Sequence, residues 1–320
     1  MTNCEKEQAL KNFFSQKKNV LIAFSGGVDS SLLTAFAAEA PIKATAVTLK
    51  TELMSEKEIE NAVQTAKEIG INHIVLEKSV LGIPEIGENR QNRCYVCKKE
   101  IFQTLLKFAE ENGFETVLEG TNYSDIENRS KQNDLRPGFS ALLELNEIQK
   151  QKEEKQKDGK NNAEKQNERK KQENRGDFVP KIETPLADLK ITKNEIRELA
   201  KQRKLTPANK PSMSCLATRF SYDEKLTAET IQTVGAAENT LFEIGFSQAR
   251  IRCHVDSKKR WIARIEVDKN EIGLISKGEN IEKINSLISF LKENGFSYVT
   301  IDLEGFRSGS MDEKGREDEK

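Results

Sequence analysis

Seven residues, Ser25-Gly26-Gly27-Val28-Asp29-Ser30-Ser31, combine hydroxyls, glycines and a carboxylate in a grouping suited to polyphosphate. Glycines at 26 and 27 let the backbone turn sharply and come close to an anion. Amide N–H groups and the Ser25, Ser30 and Ser31 hydroxyls can then face phosphate oxygens. Asp29 would be repelled by bare phosphate. Its presence makes sense if Mg²⁺ bridges it to a nucleotide, because that hard cation takes one or two carboxylates together with phosphate oxygens. The loop lacks the lysine of G-x-x-x-x-G-K-[ST], so it is not a Walker P-loop. The ligand expected is ATP.

The thiols form a second set. Cys94-Tyr95-Val96-Cys97 opens a predicted helix, where amide N–H groups and the positive end of the dipole favour thiolates. A C-x-x-C in that position can serve redox exchange, half a zinc site or a cluster. Zinc is disfavoured, since four ligands are needed and only His73, His254 and three further cysteines are at hand. Cys215 lies in a connector, Lys210-Pro211-Ser212-Met213-Ser214-Cys215-Leu216-Ala217-Thr218-Arg219-Phe220, where a catalytic group could face the nucleotide. Cys253 alternates with Ile251 and Val255 and is expected in the core, while Cys4 sits in an early polar segment and is expected to be incidental. On the other face of that strand, Arg250 and Arg252, with Arg264 from the next strand, would make a basic patch for a phosphate or carboxylate.

These residues need elements to position them. Residues 20–24 read as a strand buried on both faces and 32–38 as the following helix, which puts the first loop at a helix N-terminus. Further strands are expected at 44–49, 73–76 and 116–118, with helices at 55–69, 95–112 and 192–204 between and after them. The alternation predicts an α/β fold, a Rossmann-like, doubly wound parallel sheet with its ligand at the carboxyl ends of the strands. Glu119-Gly120-Thr121-Asn122 follows the fourth strand at that same end.

Residues 147–177 are so rich in Lys, Glu, Gln, Asn and Arg that they read as a disordered or frayed insertion within the first domain, 1–205, with a single solvated helix as the rival reading. A connector spans 206–226. A smaller α+β domain follows at 227–310, with a helix at 228–244, adjacent strands at 248–255 and 260–267, helices near 270–275 and 281–294, and a last strand at 298–303. Residues 311–320 form a charged tail.

With 51 Lys and Arg against 52 Asp and Glu, the chain offers no overall basic field for a nucleic-acid backbone. No apolar run approaches the roughly 18 residues of a membrane span, and Met1-Thr2-Asn3-Cys4-Glu5-Lys6 shows no signal-peptide pattern. The expectation is a cytoplasmic protein whose five cysteines are free, metal-bound or catalytic rather than disulfide-bonded.

The SGGVDS loop resembles that of the PP-loop ATP pyrophosphatases. Taken with RCYVCKKEIF, EGTNYSDIENR, LRPG, SCLATRF, ARIR, ARIEV and DLEGFRSGS, in that order, nearly the whole chain outside the insertion resembles the LarE family of ATP-dependent sulfur transferases. The resemblance implies a PP-loop domain followed by a smaller domain that takes part in homo-oligomerisation. It implies that ATP adenylylates a carboxylate of pyridinium-3,5-biscarboxylic acid mononucleotide, that pyrophosphate leaves, and that sulfur displaces AMP to give a thiocarboxylate of the nickel-pincer nucleotide route. An external sulfur source and other enzymes of that route are the implied partners.

By the same resemblance, Ser25, Gly26, Gly27, Asp29, Ser30 and Ser31 hold pyrophosphate, Asp29 with Mg²⁺. Gly120, Thr121 and Asn122 border AMP with Thr48 and Arg219, and Arg250 and Arg252 contact the substrate. In single-cysteine members the cysteine at the position of Cys215 gives up its own sulfur. Three-cysteine members instead hold a 4Fe-4S cluster, which implies Cys94, Cys97 and Cys215 as its ligands here, with a bound sulfide as nucleophile. Two departures occur in the loop: Ser214 stands where proline is usual, and Ser221-Tyr222-Asp223 stand where proline-tyrosine-glycine is usual. A PP-loop tRNA thiolase is the nearest rival, followed by an ammonia-using ligase and a non-catalytic ATP-sensing iron–sulfur module.

Overall fold

The computed structural model describes residues 2–130, 137–163, 178–209, 213–307 and 309–311. The tail at 312–320, residues 164–177 of the insertion, Leu135 and Arg136 of the LRPG motif, and Lys210, Pro211 and Ser212 ahead of Cys215 lie outside the described residues. Along the chain run α1 (Asn3–Ser15), β1 (Asn19–Ala23), α2 (Val28–Glu39), β2 (Lys43–Lys50), α3 (Glu56–Ile69), β3 (Asn72–Glu77), α4 (Pro84–Gly87), α5 (Arg93–Asn112) and β4 (Thr116–Leu118). There follow α6 (Tyr123–Ser130), α7 (Pro137–Ala163), β5 (Lys181–Glu183), α8 (Pro185–Asp188), α9 (Lys193–Gln202) and α10 (Ala228–Ile244). The last elements are β6 (Ala249–Val255), β7 (Trp261–Val267), α11 (Ile281–Glu293) and β8 (Phe296–Ile301).

Two compact units emerge. The first comprises Met1–Lys50, Glu58–Lys78 and Cys94–Lys210, and the second Thr51–Lys57, Ser79–Arg93 and Pro211–Lys320. In the first unit five parallel strands take the order β3-β2-β1-β4-β5, the Rossmann-like α/β sheet expected. The period of two along β1 explains how both faces are covered. Val20 and Ile22 pack with Leu10, Phe14, Leu32, Leu33, Phe36 and Leu199 from α1, α2 and α9. Leu21 points the other way, into Phe102, Leu105, Leu106, Leu142 and Leu145 of α5 and α7. Each such buried side chain stabilises the fold by about 1.5–3 kcal/mol, so β1 is the least movable strand. From β1 the chain winds outward to β2 and β3 on one side and β4 and β5 on the other. The winding reverses between β1 and β4, so the loops that follow them lie side by side at the carboxyl end of the sheet.

One expectation is corrected here. The insertion does not begin in disorder: its backbone is helical through Ala163, as the continuation of α7. Ala141, Leu142 and Leu145 are buried against the sheet, and Gln149 is buried one turn later. That packed start supplies the nucleus, and Glu, Lys and Gln propagate the helix at little cost.

In the second unit β6 and β7 are antiparallel and β7 and β8 parallel, giving the small mixed sheet expected. Ile251, Cys253, Ala263 and Ile265 are buried, as are Leu287 and Leu291 of α11. Residues Lys269–Ser276, expected as a helix near 270–275, form a 3-10 helix capped by Asp268. No helix among the described residues is long and apolar enough to cross a membrane.

Candidate active site

β1 delivers the chain into the turn at Ser25 to Gly27, and α2 begins at Val28. Gly26 has φ +70°, and a Cβ there would lie 2.8 Å from the Ala62 Cα, so both conformation and space exclude a side chain. Hydroxyls brace the turn. Ser30 Oγ donates to the Gly27 carbonyl at 3.1 Å and accepts from the Ser25 amide at 3.3 Å, while Ser25 Oγ accepts from the Gly27 amide at 3.4 Å. Ser31 Oγ is buried in the first turn of α2 with no hydrogen-bond partner. The first amides of a helix have no intrahelical acceptor either, so the loop presents unsatisfied donors at the positive end of a dipole.

Asp29 sits where the two loops meet. Its carboxylate accepts from Asn122 Nδ2 at 3.2 Å and is ion-paired with Lys193 Nζ. Asn122 also donates to Asp125 at 2.7 Å, which fixes the amide orientation. Burial raises the Asp29 carboxyl above its ordinary range, against the opposing pull of Lys193 and Asn122. A Cβ at Gly120 would lie 3.3 Å from both Asp29 Cβ and the Ser30 amide, so this glycine lets the β4 loop close on the β1 loop.

Glu119 is paired with Lys98 at 2.6 Å and accepts from the Thr121 amide at 2.7 Å. Burial would raise its carboxyl, but Lys98 and Thr121 outweigh that and hold it below the usual range. Thr48 is buried, donating to the Phe24 carbonyl at 2.7 Å, so His73 Nε2, 2.8 Å away, must donate to Thr48 Oγ1. Burial lowers the His73 pKa, which favours this neutral form.

The structure thus brings Ser25 to Ser31 together with Gly120, Thr121 and Asn122 in one unit, and adds Lys98 and Lys193. The sequence reading missed both lysines as site residues. Lys193 lay within a capping motif, and Thr192 with Glu195 does cap α9. Nothing local signals that the next residue reaches Asp29, 164 positions away.

The remaining candidates lie elsewhere. Cys94 is exposed and Cys97 half-buried, both in the first unit, while half-buried Cys215 belongs to the second. Among the described residues no group of three or more His, Cys, Asp or Glu side chains is placed to hold a metal ion. Cys253 is in the core as expected, its thiol pushed well up by burial.

Cys215 heads a 3-10 turn, Leu216–Arg219, whose shape is set by Arg219. That guanidinium is fully buried, paired through Nε and Nη2 with Glu238 at 2.8 and 2.9 Å. Its Nη1 donates to the Ser214 carbonyl at 3.0 Å, Ser214 Oγ at 2.8 Å and Thr218 Oγ1 at 2.8 Å. Ser214, a departure from the family's proline, therefore adds an acceptor for Arg219.

Arg250 and Arg252, expected as a basic patch on one face of β6, are both buried. Arg252 pairs with Glu266 at 2.9 Å and donates to the Thr218 carbonyl at 3.0 Å; Arg250 donates to the Ala249 carbonyl at 2.7 Å. Arg264 shares the fully buried Glu266 at 2.8 Å. The alternation that put these arginines on one face was correct, but β7 places Glu266 opposite Arg250, so the face carries its own counter-charge.

A family model described as asparagine synthase matches residues 7–84. The chain is 32% identical over 307 residues to an uncharacterized protein of Synechocystis sp., covering 96% of each chain. It is 30% identical over 299 residues to an uncharacterized protein of Methanocaldococcus jannaschii, covering 93% of this chain and 94% of that one. It is also 30% identical over 316 residues to the pyridinium-3,5-bisthiocarboxylic acid mononucleotide synthase of Lactiplantibacillus plantarum, covering 98% of this chain and 95% of the synthase.

Proposed function

Because this chain belongs to the LarE family of ATP-utilising PP-loop enzymes, as does the Lactiplantibacillus synthase, we propose that it is an ATP-dependent sulfurtransferase acting on pyridinium-3,5-biscarboxylic acid mononucleotide. The observation that carries the proposal is the meeting of an amide-rich loop, Asp29 and Lys193 at the carboxyl end of the sheet. A carboxylate oxygen of the substrate attacks the α-phosphorus of ATP, and the bond to the β-phosphate oxygen breaks. The leaving pyrophosphate is received by the loop amides and the Ser25 and Ser30 hydroxyls. Lys193 offsets part of the charge that develops on it, and Asp29 with Asn122 orients that ammonium.

Asp29 and the serine hydroxyls are hard oxygen donors, and Asp29 already faces a cation, so this donor set fits Mg²⁺. Mg²⁺ held there would neutralise charge on the phosphates.

Sulfur transfer follows from the thiols. The Cys215 thiolate attacks the acyl carbon and AMP leaves. Removal of the Cys215 α-proton then breaks its Cβ–S bond, releasing the thiocarboxylate and leaving dehydroalanine. Arg219 acts through the carbonyls and hydroxyls of this turn, as a positioning residue. A 4Fe-4S cluster on Cys94, Cys97 and Cys215 is what the three-cysteine resemblance implies. The described residues do not gather such a ligand set.

Mass spectrometry of the nucleotide products, after anaerobically prepared protein meets ATP, Mg²⁺, sulfide and the biscarboxylate mononucleotide, tests the proposal. Thiolated nucleotide with AMP and pyrophosphate is the expected result. One product per chain, with Cys215 converted to dehydroalanine, supports the sacrificial route, whereas several per chain require a renewable sulfur carried by the cysteines. No thiolated nucleotide would overturn the assignment and favour tRNA as substrate.

A further inference from the structure

Arg93, the first residue of α5, is a buried cation that the rest of the described chain leaves unsatisfied. It is 6% exposed, and its Nε and Nη1 are buried without a hydrogen-bond partner. No carboxylate pairs with it among the described residues. Arginine cannot shed its proton, so burial without a partner leaves a full charge stripped of water, a costly state unless a ligand completes it. Tyr222 does not remove the deficit: the guanidinium carbon lies 4.4 Å from the centre of its ring, a stacking that covers the flat face and gives the N–H edges no acceptor.

The segment bearing Arg93 cannot swing away to hydrate it. Asn89, fully buried at φ +54°, donates to the Ser221 carbonyl at 2.8 Å and the Phe220 carbonyl at 3.3 Å. The Leu226 amide donates to the Gly87 carbonyl at 2.7 Å, and Arg90 pairs with Asp223 at 3.2 Å. Asp223 adopts φ +63° where the family's glycine is usual, so the departure keeps the backbone conformation and adds an ion pair. Residues 87–93 are thereby fastened to the turn that follows Cys215 in the chain.

We infer that Arg93 is the anchor of an oxyanion site that takes a phosphate monoester. The two unpartnered nitrogens lie on different edges of the planar fork. A phosphate monoester grips one such edge with two of its terminal oxygens, as a carboxylate does, and brings a second negative charge to a cation that the described residues leave uncompensated. The helix start at Arg93 adds positive potential of its own, which suits a dianion. That this phosphate is the 5′-phosphate of the pyridinium mononucleotide rests on the proposed function; the oxyanion site does not.

The test is thermal unfolding and calorimetric titration of the full chain with ribose 5-phosphate, against ribose and acetate as controls. Ribose 5-phosphate should raise the Tm of the wild type, and neither control should. Arg93→Met should weaken ribose 5-phosphate by about tenfold or more, the worth of one or two charge-assisted hydrogen bonds, and leave the ATP-induced shift unchanged. Without ligand this variant should be as stable as wild type or more so, which a purely structural arginine would not allow. Arg93→Lys, which keeps the charge but not the fork, should fall between and remains informative if the methionine variant does not fold.

Equal binding by wild type and both variants, no response of the wild type, or a response to acetate as large as that to ribose 5-phosphate would each overturn the inference. An Arg93-dependent shift in a protein that forms no thiolated nucleotide would leave this site standing and sink the proposed substrate.

Discussion

Two ionic arrangements in this protein look alike in a contact diagram and differ in what they can do. At the carboxyl end of the parallel sheet, Lys193 of α9 and Asp29 of α2 form an ion pair whose side chains keep 30% and 23% of their exposure. In the smaller unit, Arg219 with Glu238 keeps 0% and 3%, and Arg252 with Glu266 keeps 6% and 0%. A partly exposed pair can exchange partners when a polyphosphate arrives, because water and ligand reach both groups. A dry pair cannot, since separating it strands a charge in a low-dielectric interior. The first arrangement is therefore suited to handling a ligand, and the second to holding the Cys215 turn in shape.

The sharpest way to break this distinction is to remove one partner from a dry pair. Glu238→Ala strands Arg219 and should destabilise the protein by about 3–5 kcal/mol, read from urea denaturation. A loss comparable to that of a surface pair would show the two arrangements to be alike. Gly26→Ala comes next, because it forces φ +70° and a 2.8 Å approach to Ala62 on a side chain. A loss of about 1–3 kcal/mol, with loss of ATP binding, is expected from denaturation and titration together.

Removing a partner from the partly exposed pair should act on the ligand more than on the fold. Lys193→Met should weaken ATP by about tenfold and change stability by under about 1 kcal/mol. Calorimetric titration with ATP and melting curves on the same variant separate the two.

Asp29 offers a pH test with a definite sign. Its carboxyl is raised in the folded state, so the folded protein holds this proton more tightly than the unfolded chain. The contribution to stability is then full below the ordinary carboxylate pKa and is lost as pH rises through the raised value. Asp29→Asn should consequently stabilise the protein at neutral pH, with the gain fading in acid, while abolishing Mg²⁺-dependent turnover. A variant less stable than wild type at neutral pH would show that the Lys193 pairing outweighs the desolvation. The smallest effect is expected at Arg90, whose pairs with Glu88 and Asp223 are exposed. Arg90→Ala should shift stability by under about 1 kcal/mol, measured in the same urea series.

The parallel sheet and its loop were legible because their signals are local. The buried run at β1, the glycines and the helix that follows all lie within about twenty residues, and the unbroken apolar run of β1 predicted its double burial. β5 was not legible, since Lys181-Ile182-Glu183 carries one apolar residue between two charges; it exists because Thr116 to Leu118 offers an edge to pair with. The start of the insertion was misread for a related reason. Charged composition alone argues for disorder, and only packing of Leu142 and Leu145 on the sheet turns the same residues into a continued helix. On β6, alternation correctly grouped Arg250 with Arg252 but could not reveal that Glu238 and Glu266 would enclose that region and bury it.

What the sequence determined by itself, then, is the backbone chemistry of the loop at residues 25–31 and the class of sheet that carries it, because glycine conformation, capping and hydrophobic period act over a few residues. Tertiary structure alone decided which charges remain available. Lys193 meets Asp29 through the docking of α9 beside α2, Arg219 is consumed by Glu238, and Arg93 Nε and Nη1 find no acceptor among the described residues. The availability of a charge depends on burial and on partners distant in the chain, and neither is written in its neighbours.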